Sequence, residues 1–179
     1  MAVKPPEDVL DAVAAAVAPA RSVRAGLRWE QRDRYHLTLQ FLGPVAELGP
    51  VVDGLAAAVG ARDTFSFRLG GVGAFPKPGR ARVVWMGPAL GGPELVGLAG
   101  AVAGALRPAG YEADRKEFHP HLTLARLKVP DNVSDVLAAI GPEAVGEAFT
   151  VGEVVLYQSQ LSAKGPTYTV LERFPLSGP

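Results

Sequence analysis

The feature that most constrains this chain of 179 residues is a tetrapeptide, His-Leu-Thr-Leu, that occurs twice, at residues 36–39 and 121–124. Polar and apolar residues alternate in both copies, which is typical of a β-strand with one buried face. His36 and Thr38 therefore share one face of the first strand, and His121 and Thr123 share one face of the second. The sequence predicts two strands that each bury a leucine pair and present a His–Thr pair on the opposite face.

The predicted elements around the two copies follow the same order at nearly the same spacing. A helix is predicted before each histidine, and a helix, a strand and a turn glycine are predicted after it. The predicted helices are Pro6–Ala18, Ala46–Val59, one from near Pro93, and Asp131–Ile140. The predicted strands are His36–Leu42, Phe65–Leu69, Arg82–Met86, His121–Leu127, Phe149–Gln158 and Thr167–Phe174. The two turn glycines are Gly79 and Gly165, the latter in a turn at Lys164-Gly165-Pro166 between the last two strands.

This repeated order predicts an α+β fold with a duplicated, two-lobe architecture. The lobes span roughly residues 1–88 and 89–179 of one bilobal domain, and the prediction allows strands to be exchanged between them. Two antiparallel sheets are expected to line a central cleft, with the helices on the outside. If equivalent strands face that cleft, two imidazoles and two hydroxyls converge in it.

Composition excludes several classes of function. Lys and Arg total 18 and Asp and Glu total 18, so a broad basic face is not how this chain binds nucleic acid. The absence of cysteine excludes disulfides, thiol nucleophiles and thiolate metal sites. His119 and His121 lack a third ligand nearby in sequence, so we expect no metal and no cofactor, and we assign His119 to a loop at the rim.

The chain shows neither a membrane span nor a secretory signal. No stretch approaches the length of uninterrupted apolar sequence that a membrane-spanning helix needs. The Ala-rich segment near the start contains Asp11 and follows Glu7 and Asp8, whereas a secretory signal favours positive charge there. We therefore expect a cytoplasmic protein with no membrane partner, and a monomer.

Two His–Thr pairs in one cleft suit phosphate chemistry. Imidazole titrates near neutral pH, so one ring can act as a base while the other acts as an acid. Hydroxyl groups can donate hydrogen bonds to the non-bridging phosphate oxygens that carry charge in the transition state. An in-line displacement at phosphorus needs a base on the attacking oxygen and an acid on the leaving oxygen. The residues alone do not decide which histidine is which.

The chain resembles the two-histidine phosphoesterase superfamily, and within it the RNA 2′,3′-cyclic phosphodiesterase family, also called 2′-5′ RNA ligases. The resemblance rests on two His-x-Thr-x motifs and covers nearly the whole chain. It implies a hydrophobic strand before the first helix, for which only Met1-Ala2-Val3 is present. The matching segments are Leu27–Trp29 with His36–Gly43, Gly71–Pro76 with Arg82–Trp85, Pro120–Arg126, and Leu156–Ser159 with Gly165–Tyr168.

The resemblance implies hydrolysis of a terminal 2′,3′-cyclic phosphate on RNA to a 2′-phosphate, without a metal. In that scheme His121 is the proton acceptor, His36 is the proton donor, and Thr38 and Thr123 bind the phosphate. Arg126, where the family also has an arginine, is a further candidate for phosphate binding. Strict alternation places it on the opposite face from His121, so it reaches the anion only if the strand bends or ends first.

The sequence leaves three alternatives open. The same site can catalyse reversible 2′-5′ RNA ligation, hydrolyse another small cyclic phosphate, or bind RNA ends without catalysis. Phe41 has two interpretations as well: a base-stacking residue at the cleft mouth, or a core residue beside Leu37 and Leu39, which alternation favours.

Overall fold

The structure, a computed structural model, describes residues 1–112, 117–162 and 165–178. Within these residues, helices and strands are mixed along the chain, which confirms the predicted α+β class. The helices are α1 (Glu7–Val23), α2 (Gly49–Gly60), α3 (Gly92–Leu106) and α4 (Ser134–Ile140). The strands are β1 (Ala2–Val3), β2 (Arg28–Trp29), β3 (Leu37–Thr38), β4 (Phe65–Phe75), β5 (Ala81–Leu90), β6 (Leu122–Asp131), β7 (Ala144–Val151), β8 (Glu153–Ser162) and β9 (Gly165–Pro175).

The strands of the described residues form one hydrogen-bonded path in the order β7-β4-β5-β6-β3-β1-β8-β9, and β2 pairs with β6 beside β3. The pairings are antiparallel, as predicted. The two predicted sheets are thus the two halves of one path, joined where β3 lies beside β6. We call these halves wings: the first wing is β7-β4-β5-β6 and the second is β3-β1-β8-β9. The short strand β1 lies inside the second wing, between β3 and β8.

The helices pack in pairs, α1 against α4 and α2 against α3, and each pair takes one helix from each half of the chain. Helices α1 and α3 each bury one apolar face, as shown by Leu10 and Val13 in α1 and by Leu95 and Val102 in α3. No helix in the described part of the chain is long and apolar enough to cross a membrane. The division into lobes near residue 88 stays a prediction.

Some predicted boundaries are wrong. The predicted strand Phe149–Gln158 is interrupted at Gly152, and its two parts, β7 and β8, lie in different wings of the path. The first histidine strand is only two residues long, because the backbone N–H groups of Leu39 and Gln40 donate to the single carbonyl of Met1 instead of continuing a ladder. Lys164, in the predicted closing turn, lies outside the described residues, while Gly165 and Pro166 belong to β9.

Two helices begin three residues later than predicted. Helix α4 starts at Ser134 rather than Asp131, because Asp131 still pairs with Ala81 at the end of β6. Asn132 then makes the turn, its side-chain oxygen accepting from the backbone N–H and the hydroxyl of Ser134. Helix α2 starts at Gly49, and helix α1 runs five residues beyond its predicted end, through Pro19.

Candidate active site

The two motif strands, β3 and β6, are antiparallel neighbours, with Leu37 directly opposite Leu122. Both leucines are fully buried. Continuing this register by one residue in each direction puts His36 opposite Thr123, and Thr38 opposite His121. All four side chains lie on the face opposite the leucines, so the two His–Thr pairs meet on one surface.

The register also sets the spacing of the two imidazoles. Directly opposite side chains have Cβ atoms about 5 Å apart. Diagonal neighbours lie about 7–8 Å apart, and their Cβ atoms are somewhat closer than that. His36 and His121 are diagonal neighbours, and each lies beside the threonine of the other motif. This spacing leaves room for one tetrahedral group between the rings.

Each imidazole is oriented by a backbone carbonyl two residues earlier. His36 Nδ1 lies 2.7 Å from the carbonyl oxygen of Arg34, and His121 Nδ1 lies 2.7 Å from that of His119. A carbonyl oxygen only accepts, so Nδ1 carries the proton in both rings. Nε2 is left for chemistry: in the neutral ring it accepts a proton, and in the charged ring it donates one.

The surroundings of both rings favour the neutral imidazole. Burial is the largest cause and lowers the pKa of His36 and of His121 below the ordinary 6.5. The positive charge of Arg126 acts in the same direction on both rings, and the hydrogen bonds to the two carbonyls oppose it. Lowered pKa values keep a neutral base available in slightly acidic solution.

Arg126 reaches the histidine face because β6 contains a bulge. Trp85 pairs with Thr123 and the preceding Val84 pairs with Ala125, so Leu124 is an extra residue on β6. Leu124 and Ala125 are consecutive buried residues, and the alternation resumes with Arg126 exposed on the same face as Thr123. Sequence alternation alone misses this shift, because nothing in residues 122–127 marks the extra residue.

Aromatic side chains flank both imidazoles, and no pattern in the sequence singles them out. The ring of Tyr168 lies 5.0 Å from His36 and that of Tyr157 lies 6.4 Å away, while Phe75 lies 5.1 Å from His121. These aromatic residues lie in segments that carry the family resemblance, and that resemblance is the only feature of the sequence that points to them. A cavity of about 390 Å³ adjoins His36 beside the two tyrosines.

Two further candidates have a defined place. Phe41 is 71% exposed, so its assignment to the core is wrong: β3 ends at Thr38, and the alternation that placed Phe41 inward ends with it. His119 lies in an exposed loop as predicted, with its ring 4.8 Å from that of Trp85. Among the described residues, no group of three or more His, Asp or Glu side chains is arranged to hold a metal ion.

Two His–Thr pairs on one face of an antiparallel sheet form a phosphoesterase-like site. Comparison with known proteins shows the family to which the chain belongs. The family model described as the 2′-5′ RNA ligase superfamily matches residues 7–162. The chain belongs to this superfamily.

Relatives of known name are similar over most of their length. An Aeropyrum pernix protein named RNA 2′,3′-cyclic phosphodiesterase is 38% identical over 78% of this chain and 80% of its own length. A Thermus thermophilus protein of the same name is 37% identical over 97% of this chain and 87% of its own length.

Solved structures show the same fold. The crystal structure of TT0787 from Thermus thermophilus has a TM-score of 0.83 at 32% identity, covering 99% of this chain and 96% of that one. Escherichia coli LigT complexed with 3′-AMP has a TM-score of 0.76 at 26% identity, covering 98% of this chain and 95% of LigT.

Proposed function

We propose that this protein hydrolyses the terminal 2′,3′-cyclic phosphate of RNA to a 2′-phosphate by metal-independent general acid–base catalysis. The observation that carries the proposal is the pairing of Leu37 with Leu122, which sets both His–Thr pairs on one surface. The named relatives support the substrate class. We also propose that the protein is a monomer and that it acts in the cytoplasm.

The reaction needs one proton removed and one supplied. His121 Nε2 accepts a proton from water as the water oxygen attacks phosphorus. The bond between phosphorus and the ribose O3′ breaks, and His36 donates its Nε2 proton to that oxygen, which leaves a 2′-phosphate. His36 must be in its charged form for this step, and the negative charge of the bound phosphate favours that form against the effect of burial. This assignment of donor and acceptor rests on the family resemblance. The hydrogen bonds do not distinguish the two rings, because each ring has an equivalent hydrogen bond to a carbonyl. Each role contributes about 10²–10⁴ in rate.

The hydroxyls and the guanidinium stabilise the charged phosphate. Thr123 lies beside His36 and Thr38 lies beside His121, so each donates to a non-bridging oxygen next to one imidazole. Arg126 adds a positive charge on the same face, near enough to lower the pKa of both rings. These three groups hold the oxygens on which charge accumulates in the transition state.

The ribose lies on the His36 side of phosphorus, because O3′ is the atom that His36 protonates. The cavity beside His36 lies on this side, and its volume of about 390 Å³ is within the usual range for small-ligand pockets. In-line attack then brings water from the His121 side.

The test is incubation with an oligonucleotide that ends in a 2′,3′-cyclic phosphate, in the presence of a chelator. The proposal expects conversion to a 2′-phosphate. Cyclic ends that persist under these conditions contradict it. A large excess of an acceptor with a free 5′-hydroxyl tests the ligating reaction, in which that hydroxyl attacks phosphorus in place of water, O3′ leaves as before, and a 2′-5′ linkage forms.

A further inference from the structure

A second arginine lies beside Arg126 on the surface that carries the imidazoles. Strand β2 pairs with β6 so that Arg28 is opposite Arg126, and Trp29 is opposite Ala125. Ala125 is fully buried, so Trp29 lies on the core side of the sheet. Arg28 therefore shares the face of Arg126, which the bulge in β6 aligns with Thr123.

More positive than negative charge lies around Arg28 and Arg126. Glu30 Oε1 lies 3.4 Å from Arg126 Nε, and within the described ranges this is the only ion pair recorded for either arginine. Arg28 is exposed. Two guanidinium groups next to one carboxylate leave a net positive charge on the face of the sheet that carries the imidazoles, which favours a second anion.

The position of this charge fits the direction of the substrate. Residues that lie opposite one another across the strands form a row, and we compare the row of Thr123 with the row of Arg126. The strand advances by only two residue steps between them, because the bulge absorbs one residue, so the two rows are about 7 Å apart. Arg28 lies in the outer row, on the side of His36 rather than of His121. The proposed leaving group puts the terminal ribose, and the RNA chain that continues from it, on that side.

We propose that Arg28 binds the internucleotide phosphate adjacent to the terminal nucleotide, so that the site selects RNA ends over mononucleotides. The inference rests on the proposed function. Arg126 serves the reacting phosphate, and Arg28 serves the next phosphate along the chain. A mononucleoside 2′,3′-cyclic phosphate has no such group and gains nothing from Arg28.

The experiment compares kcat/KM for two substrates, adenosine 2′,3′-cyclic phosphate and a short oligoadenylate that ends in the same cyclic phosphate. The wild-type protein is expected to prefer the oligonucleotide. Arg28→Gln should lower the ratio of the two kcat/KM values about 10-fold, and it should make the salt dependence for the oligonucleotide shallower by about one phosphate contact. Arg28→Lys, which keeps the charge, should retain most of the preference.

The controls separate the role of Arg28 from the proposed function. Arg107→Gln, which replaces another exposed arginine outside the site, should leave the ratio as in the wild type. A wild-type protein that hydrolyses neither substrate contradicts the proposed function itself. Hydrolysis of both without preference, or an Arg28→Gln variant whose ratio is unchanged, overturns only the role of Arg28.

Discussion

At the scale of single residues, the proposed chemistry depends on two imidazoles with equivalent surroundings. Each ring holds its Nδ1 proton on a backbone carbonyl and turns Nε2 to the reaction. Because the carbonyls belong to the main chain, most side-chain substitutions nearby leave this orientation intact. The two histidines can therefore be tested by direct replacement.

His36→Ala and His121→Ala should each lower kcat by about 10²–10⁴, since each removes one proton transfer. The measurement is turnover of a cyclic-phosphate oligonucleotide with chelator present, and circular dichroism checks that the variants are folded. A loss of only a few-fold in either variant argues against paired acid–base catalysis.

The threonines offer a matched comparison. Thr38→Val or Thr123→Val should lower kcat, because each removes a hydroxyl that faces the phosphate while keeping the β-branched shape. Thr150→Val replaces an exposed threonine on β7 and should leave kcat unchanged. Equal rates for all three variants would remove the threonines from the site.

The pH dependence of the reaction should respond to Arg126. Burial is the main reason that the pKa values of His36 and His121 are low, but the charge of Arg126 lowers both as well. Arg126→Gln removes that contribution, both pKa values rise, and both limbs of the kcat/KM profile should move to higher pH. Limbs that stay in place contradict the position assigned to Arg126.

At the scale of elements, the surroundings of His121 depend on a glycine, Gly73, on strand β4. Gly73 is opposite Trp85 across β4 and β5, and the indole ring occupies the space that a Cβ at residue 73 would take. That ring in turn contacts Phe75 and His119, which flank His121. A side chain at residue 73 must displace the indole.

Gly73→Val should therefore destabilise the fold by about 1–3 kcal/mol through overpacking, as measured by urea unfolding. Gly100→Ala is the control, because nothing lies within 4 Å of a Cβ there and alanine favours the interior of α3 by about 0.5–1 kcal/mol. A Gly73→Val variant as stable as the wild type would show that the indole can relocate without cost.

The elements also show what the sequence can and cannot predict. Period-two alternation identifies both motif strands, and it correctly places Leu37 and Leu122 in the core. It fails at Arg126, because a bulge depends on how many residues the partner strand supplies. It fails again at Phe41, because alternation holds only while the strand continues.

At the scale of the whole molecule, the contact between the motif strands is also the join between the two wings of the sheet. The pairing of β3 with β6 links segments from opposite halves of the chain, and such a contact between distant segments leaves no local pattern in the sequence. The repeated tetrapeptide indicates only that two equivalent strands exist. The same pairing thus assembles the site and closes the fold.

Leu37→Ala should therefore destabilise the whole protein, by about 2–5 kcal/mol, since the side chain is fully buried at the join. Leu171→Ala, at a leucine that is 41% exposed on β9, should cost much less. Thermal unfolding of both variants checks the difference. Equal losses, or separate transitions for two parts of the chain, contradict a single cooperative structure joined at β3 and β6.

The most direct test of a site shared by both histidines is a crystal structure of the protein with a 2′-phosphorylated nucleotide, the proposed product. We expect the phosphate between the two rings, with Nε2 of His36 and Nε2 of His121 each within about 2.6–3.2 Å of a phosphate oxygen. A phosphate that contacts only one imidazole, or that binds elsewhere on the protein, would contradict the shared site.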